Sequence, residues 1–211
     1  MRILTLFVAM TLSYAYGADD TVKSDYSPQV GDVIFQSLSL KSDLVVAIEG
    51  ITRSKYSHCG IVVKQKGIWY VNEASGHVQN TPLFQWLRQS RDMKAYVYRF
   101  KKKYAENIPK LIKALKKYQG LPYDVKYRLN DNKIYCSELI YRAYKDATGN
   151  ELGKLIALGD MNWKPYRKTI EKYEGAAPPL KRLMITPAAL SMAKELYKVA
   201  TIELKTTTKK K

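Results

Sequence analysis

The sequence predicts an α+β domain, and two observations carry that reading. Period-two strand patterns gather between Gly31 and Phe100, and period-3.6 helical patterns follow them instead of alternating with them. No glycine- or serine-rich linker and no internal repeat divides the 211 residues, so they read as one domain with a single core.

Each element has a local reason. Pro28 to Phe35 reads as a turn feeding a short buried strand, and Asp43 to Thr52 as a helix or an irregular segment. Ser57 to Lys64 is rich in β-branched residues, Gln65-Lys66-Gly67 is a turn, and Ile68 to Ala74 is the returning strand. Ala95 to Phe100 alternates in the same way, and the three are expected to form an antiparallel meander. Helical spacing follows at Ile108, Leu111, Ile112, Leu115 and Tyr118, with Pro109 in the first turn and Gly120 as the stop. A second helix is expected from about Tyr135 to Ala147, ended by Gly149. Near the end, Leu183 to Ile185 reads as a strand. Thr186 then caps a helix that starts at Pro187 and carries Leu190, Met192, Ala193 and Leu196.

The termini differ from this core. Arg2 supplies one early positive charge before a short apolar run that ends at small residues, the pattern of a signal peptide over residues 1–17. Cleavage is expected after Ala15 or Gly17. The domain then occupies 18–204, with 205–211 as a basic disordered tail. The run is shorter than the ~20 apolar residues of a membrane span. An exported protein, periplasmic or secreted, is the expectation.

Lys and Arg number 36 against 19 Asp and Glu, a net charge of +17. Such a field favours anionic partners, here an envelope surface. No zinc-finger, helix-turn-helix or RNA-recognition signature accompanies the charge, so no specific nucleic-acid role is expected. The sequence says nothing about oligomeric state.

Chemistry concentrates at few positions. Cys136 enters a helix from the polar stretch Asn130-Asp131-Asn132, where the helix N-terminus stabilises a thiolate and an unpaired N–H can hold an oxyanion. The chain has two histidines, His58 and His77. His58 lies on a strand beside Gly60, whereas His77 follows the turn-like Ser75-Gly76. If the two strands form a hairpin about residues 65–67, His58 falls opposite Glu73 or within a pair or two of it, close enough for the carboxylate to orient the imidazole. Strand alternation sends Cys59 to the opposite face from His58, into the core. A disulfide between Cys59 and Cys136, in an oxidising compartment, is the alternative use of both cysteines. Two histidines and two cysteines at these spacings make no zinc pattern, so neither a metal nor a cofactor is expected.

Four segments together, Gly31 to Phe35, Tyr56 to Val62, Val71 to Ala74 and Tyr135 to Ile140, resemble the YiiX/YebB-like permuted members of the NlpC-type papain-like amidases. Leu121 to Asp124 and Ile185 to Pro187 look similar too. The order is telling: histidine precedes cysteine, as in the permuted branch. The resemblance implies a small antiparallel β-barrel or curved sheet packed on helices, with the nucleophile at a helix N-terminus. It further implies a cysteine hydrolase in which Cys136 is nucleophile, His58 base and Glu73 its orienting acid, with Tyr56 and Tyr123 lining the cleft as substrate or oxyanion contacts. An apolar residue is expected where Cys59 stands. The substrate so implied is an amide bond in a cell-wall peptide. The alternatives are a lipid or N-acyl amide or ester, as in lecithin:retinol acyltransferase-like proteins, or no catalysis at all in a basic envelope-binding protein.

Overall fold

A computed structural model describes residues 20–23, 26–130 and 132–206. The expected signal peptide and residues 207–211 of the expected tail lie outside these. In chain order the elements are β1 (Asp20–Lys23), β2 (Val33–Gln36), α1 (Asp43–Thr52), β3 (His58–Gln65), β4 (Ile68–Ser75), β5 (His77–Pro82), α2 (Leu83–Arg88) and β6 (Lys94–Phe100). There follow α3 (Ile108–Leu115), α4 (Cys136–Thr148), β7 (Ile156–Ala157), α5 (Arg167–Glu174), β8 (Leu183–Met184), α6 (Pro187–Ser191) and β9 (Leu196–Thr206).

The fold is α+β. Seven strands make one open antiparallel sheet in the order β1-β9-β6-β2-β3-β4-β5, and β7 pairs with β8 separately. The sheet does not close into a barrel. The expected hairpin about residues 65–67 is present, with Ile61 opposite Asn72 and Gln65 opposite Ile68. The expected meander is corrected at its third strand. Gly76, at φ 69°, reverses the chain straight after β4, so β5 takes the place beside it and β6 pairs with β2 instead.

The C-terminal helix is also corrected. It stops at Ser191, and Leu196 opens a strand that pairs with β6 along its whole length, with a bulge between Val97 and Tyr98. Pairing to that sheet edge, with Ile202 and Leu204 buried against the sheet, overrides the helical spacing. The strand continues through Lys205 to Thr206.

Alternation divides the sheet into two faces. Val33, Phe35, Ile61 and Val63 pack on Leu111 and Leu115 of α3 and Leu139 and Ile140 of α4. Ile34, Val62, Val71 and Val97 meet Trp86 and Leu87 of α2 on the other face. Each such side chain contributes about 1.5–3 kcal/mol when fully buried. One ion pair is built into the frame. Asp32 accepts from Arg99 Nε at 2.7 Å and Nη2 at 2.9 Å, and from the Tyr26 hydroxyl at 2.7 Å.

Candidate active site

The cysteine helix is fixed at its start. Glu138 reaches back to the backbone N–H of Tyr135 at 3.3 Å, the reciprocal bond of a capped helix. The Ser137 hydroxyl donates to the Ile185 carbonyl at 2.9 Å, and the Tyr135 hydroxyl accepts from the Ile185 N–H at 3.1 Å. Upstream, Asp124 gathers the N–H groups of Lys126 and Arg128 and the Asn130 amide, shaping the loop that delivers Cys136. Cys136 is buried, at 1% exposure, on the helix's first turn.

His58 opens β3, where that strand has parted from β4. Extending the hairpin register by one step puts Gly60 opposite Glu73, two positions from His58 on the same face. A Cβ at Gly60 would stand 2.3 Å from Val71 Cγ1 and 2.8 Å from the Asn72 carbonyl oxygen. Only glycine allows the strands to close there, and that approach brings His58 Nε2 to 2.5 Å from Glu73 Oε2.

The carboxylate is held in turn. Thr81 Oγ1 donates to Glu73 Oε1 at 2.5 Å, and Trp86 Nε1 donates to Oε2 at 3.0 Å. The Trp86 ring also stacks on His58, with centroids 5.9 Å apart. Burial pushes the Glu73 carboxyl up, but its bonds from His58, Thr81 and Trp86 outweigh this and hold it below its ordinary value.

The other side of the imidazole meets the thiol. Burial pulls the His58 pKa down, yet hydrogen bonds to Cys136 and Glu73 prevail and raise it well above the ordinary histidine value. The Cys136 thiol is brought well below an ordinary cysteine, first by the Cys59 thiol that bonds it, against burial, and then by His58 and the Cys59 backbone N–H. Both shifts favour a thiolate beside an imidazolium.

Both cysteines are free. The expectation for Cys59 needs correction in one respect. Its side chain lies in the core, as alternation requires, but the core at that point contains Cys136, so the two thiols are neighbours. Tyr123 stands close enough to Cys136 to feel its charge. Its hydroxyl lies 3.1 Å from the Tyr127 hydroxyl, and burial first, then Tyr127 and Cys136, push its pKa well above an ordinary tyrosine. Tyr56 stands apart, packed on Phe35 and Tyr96, with its hydroxyl 3.2 Å from that of Tyr98. His77 is exposed on β5. Sequence reasoning missed Trp86, Thr81 and Tyr127. Thr81 sits diagonal to Glu73 across β4 and β5, a relation visible only once β5 is known.

An apolar cavity lies behind Tyr127 and Ile185, lined by none of Cys136, His58 or Glu73. Ala47, Ile48 and Ile51 of α1, Ile170 of α5, Ile185 and Tyr127 line it. The Tyr127 ring, 4.9 Å from that of Tyr135, stands between the cavity and the cysteine helix, on a left-handed backbone at φ 52°.

Residues 27–200 match the sequence model of the permuted papain-like amidase enzymes of the YaeF/YiiX, C92 family. The chain belongs to this family. It is 33% identical over 178 residues to the uncharacterized protein YiiX of Escherichia coli K12, covering 83% of this chain and 87% of that protein. Among solved structures, it is similar to a crystal structure described as metalloprotein yiiX from Escherichia coli O157:H7. The TM-score there is 0.77 at 34% identity, over 83% of this chain and 98% of that one. Membership makes the chain a papain-like cysteine hydrolase in type, which is the chemistry the Cys136–His58–Glu73 arrangement suits. As for a metal, no three His, Cys, Asp or Glu side chains among the described residues converge as a ligand set. The word metalloprotein stays with that relative.

Proposed function

We propose that the chain is an exported cysteine hydrolase that cleaves an acyl bond through a thioacyl-enzyme, with Cys136 as nucleophile, His58 as base and acid, and Glu73 as its orienting group. The observation that carries the reading is the buried His58–Glu73 pair at 2.5 Å, with Cys136 near enough to raise the His58 pKa alongside the carboxylate. The Cys136 thiolate attacks the carbonyl, and the Cys136 N–H and the Tyr123 hydroxyl hold the oxyanion. The imidazolium protonates the leaving group. The neutral imidazole then draws a proton from water, which cleaves the thioester and restores the thiolate beside the imidazolium. Export is supported by the leader-like residues 1–17 and by a positive charge suited to an anionic envelope.

For the acyl group, the aliphatic cavity beside Tyr127 favours an alkyl chain over a charged wall peptide, because no charged wall peptide gains from an apolar lining. The test presents the mature protein with a long-chain N-acyl amide, a long-chain acyl ester and a peptidoglycan stem peptide, with Cys136→Ser as control. Turnover of an acyl-chain substrate, with a Cys136-dependent acyl adduct by mass spectrometry, is expected. Turnover of the stem peptide alone returns the substrate to the cell wall. Envelope retention unaffected by Cys136→Ser, with no turnover of any of the three, would leave a binding protein.

A further inference from the structure

Gln36 is the last residue of β2 and the ladder partner of His58, so the two side chains stand side by side on one sheet face. Gln36 is 0% exposed, and neither its Nε2 nor its Oε1 has a hydrogen-bond partner among the described residues. The other two described residues with an unpaired buried polar atom, Asn72 and Glu138, each keep at least one bond. Asn72 donates through Nδ2, and Glu138 accepts through its other oxygen. Among the described residues, Gln36 alone has both polar ends fully buried and open. A leucine or methionine would fill this sheet position without that penalty, and a site that breaks the packing rule beside a catalytic base is where a ligand belongs.

We infer that Gln36 is a specificity residue for the substrate's amide group, and that it makes the enzyme an amidase in preference to an esterase. The inference rests on the hydrolase reading above and deepens it. The Gln36 carboxamide carries donors at Nε2 and an acceptor at Oε1. The N–H of a trans substrate amide points away from its own carbonyl, and Oε1 accepts from that N–H. The leaving nitrogen takes its proton from His58, so it must lie beside that imidazole, and Gln36 is the ladder partner of His58. On attack the S–C bond forms and the C–N bond breaks, and the proton held on His58 passes to the leaving nitrogen. An ester has no N–H, so Oε1 stays buried and unpaired through the same steps. Sites built to bond a substrate N–H discriminate strongly against analogues without one.

The experiment measures kcat/KM for an N-acyl amide and an ester that share one acyl chain and one leaving-group skeleton, for wild type, Gln36→Met and Gln36→Asn. Methionine matches the volume without the polar ends, and asparagine keeps the carboxamide one methylene shorter. For Gln36→Met the amide-to-ester ratio should fall about 100-fold, with Gln36→Asn between it and wild type. Equal losses on both substrates, or an unchanged ratio in both variants, would overturn the assignment while leaving the hydrolase standing. If wild type turns over neither, the hydrolase reading fails and this one with it. Should Gln36→Met fail to fold, Gln36→Asn decides by the same ratio.

Discussion

Glu73 and His58 are not ladder partners, yet their side chains meet at 2.5 Å because Gly60, not His58, faces Glu73 across the hairpin. The bond is a diagonal one across a glycine-sized gap. Thr81 and Trp86 fix the carboxylate from the far side, so the imidazole is oriented by a group that cannot itself turn. Glu73→Gln removes the charge and keeps the shape. The His58 pKa should fall, since the carboxylate raises it, and the thiolate population should shrink with it. We expect kcat/KM to drop about 100-fold or more, checked beside an NMR titration of His58. Stability gains a pH signature as well. The Glu73 pKa is depressed in the fold, so its contribution is complete above about pH 4.5 and is lost as pH falls through the folded value. Acid unfolding of Glu73→Gln should lack that limb.

Cys59 is a second, independent lever on the Cys136 thiol. Its thiol donates to Cys136 and favours the thiolate. Cys59→Ala should therefore raise the pH at which Cys136 begins to react with an alkylating probe, without changing which residue is labelled.

The cavity beside Tyr127 sets a length limit on the acyl chain. Ala47→Phe narrows it from α1, so turnover of long-chain substrates should fall about 10-fold while short-chain turnover holds. A chain-length series of matched substrates measures this. Equal losses at all lengths would show that the cavity takes no part.

Away from the site, Arg99→Ala removes the counter-charge of the buried Asp32 carboxylate and leaves it the Tyr26 hydroxyl and the Gln29 N–H. The loss should be about 3 kcal/mol in urea denaturation at neutral pH, with little change in the pH profile of Cys136 alkylation.

Much of this was legible in the sequence, for physical reasons. The hairpin about residues 65–67 and the helix at Cys136 are local structures, set by a tight turn, strand alternation, a polar approach and a terminal glycine. With the register in hand, the meeting of His58 and Glu73 followed to within two ladder positions. The losses were long-range. From Leu196 onward the residues fit a helix as well as a strand, and only the edge of β6, far back in the chain, decides between them. Trp86 and Thr81 look like ordinary core and strand residues until β5 and α2 bring them to Glu73. Alternation correctly sent Cys59 to the core but could not say that the core there contains Cys136. The open carboxamide of Gln36 carries no sequence signal, because glutamine at a strand end is unremarkable until it is found buried.

The most direct test is alkylation of the mature protein by an iodoacetamide probe from pH 4 to 9, with mass mapping, in wild type and His58→Ala. A thiolate–imidazolium pair requires selective labelling of Cys136 far below the ~8.5 of an ordinary thiol, and its loss when the imidazole is removed. Labelling of Cys136 only near pH 8.5 in both proteins, or no labelling until reduction releases it from Cys59, would contradict the nucleophile assignment and with it the hydrolase.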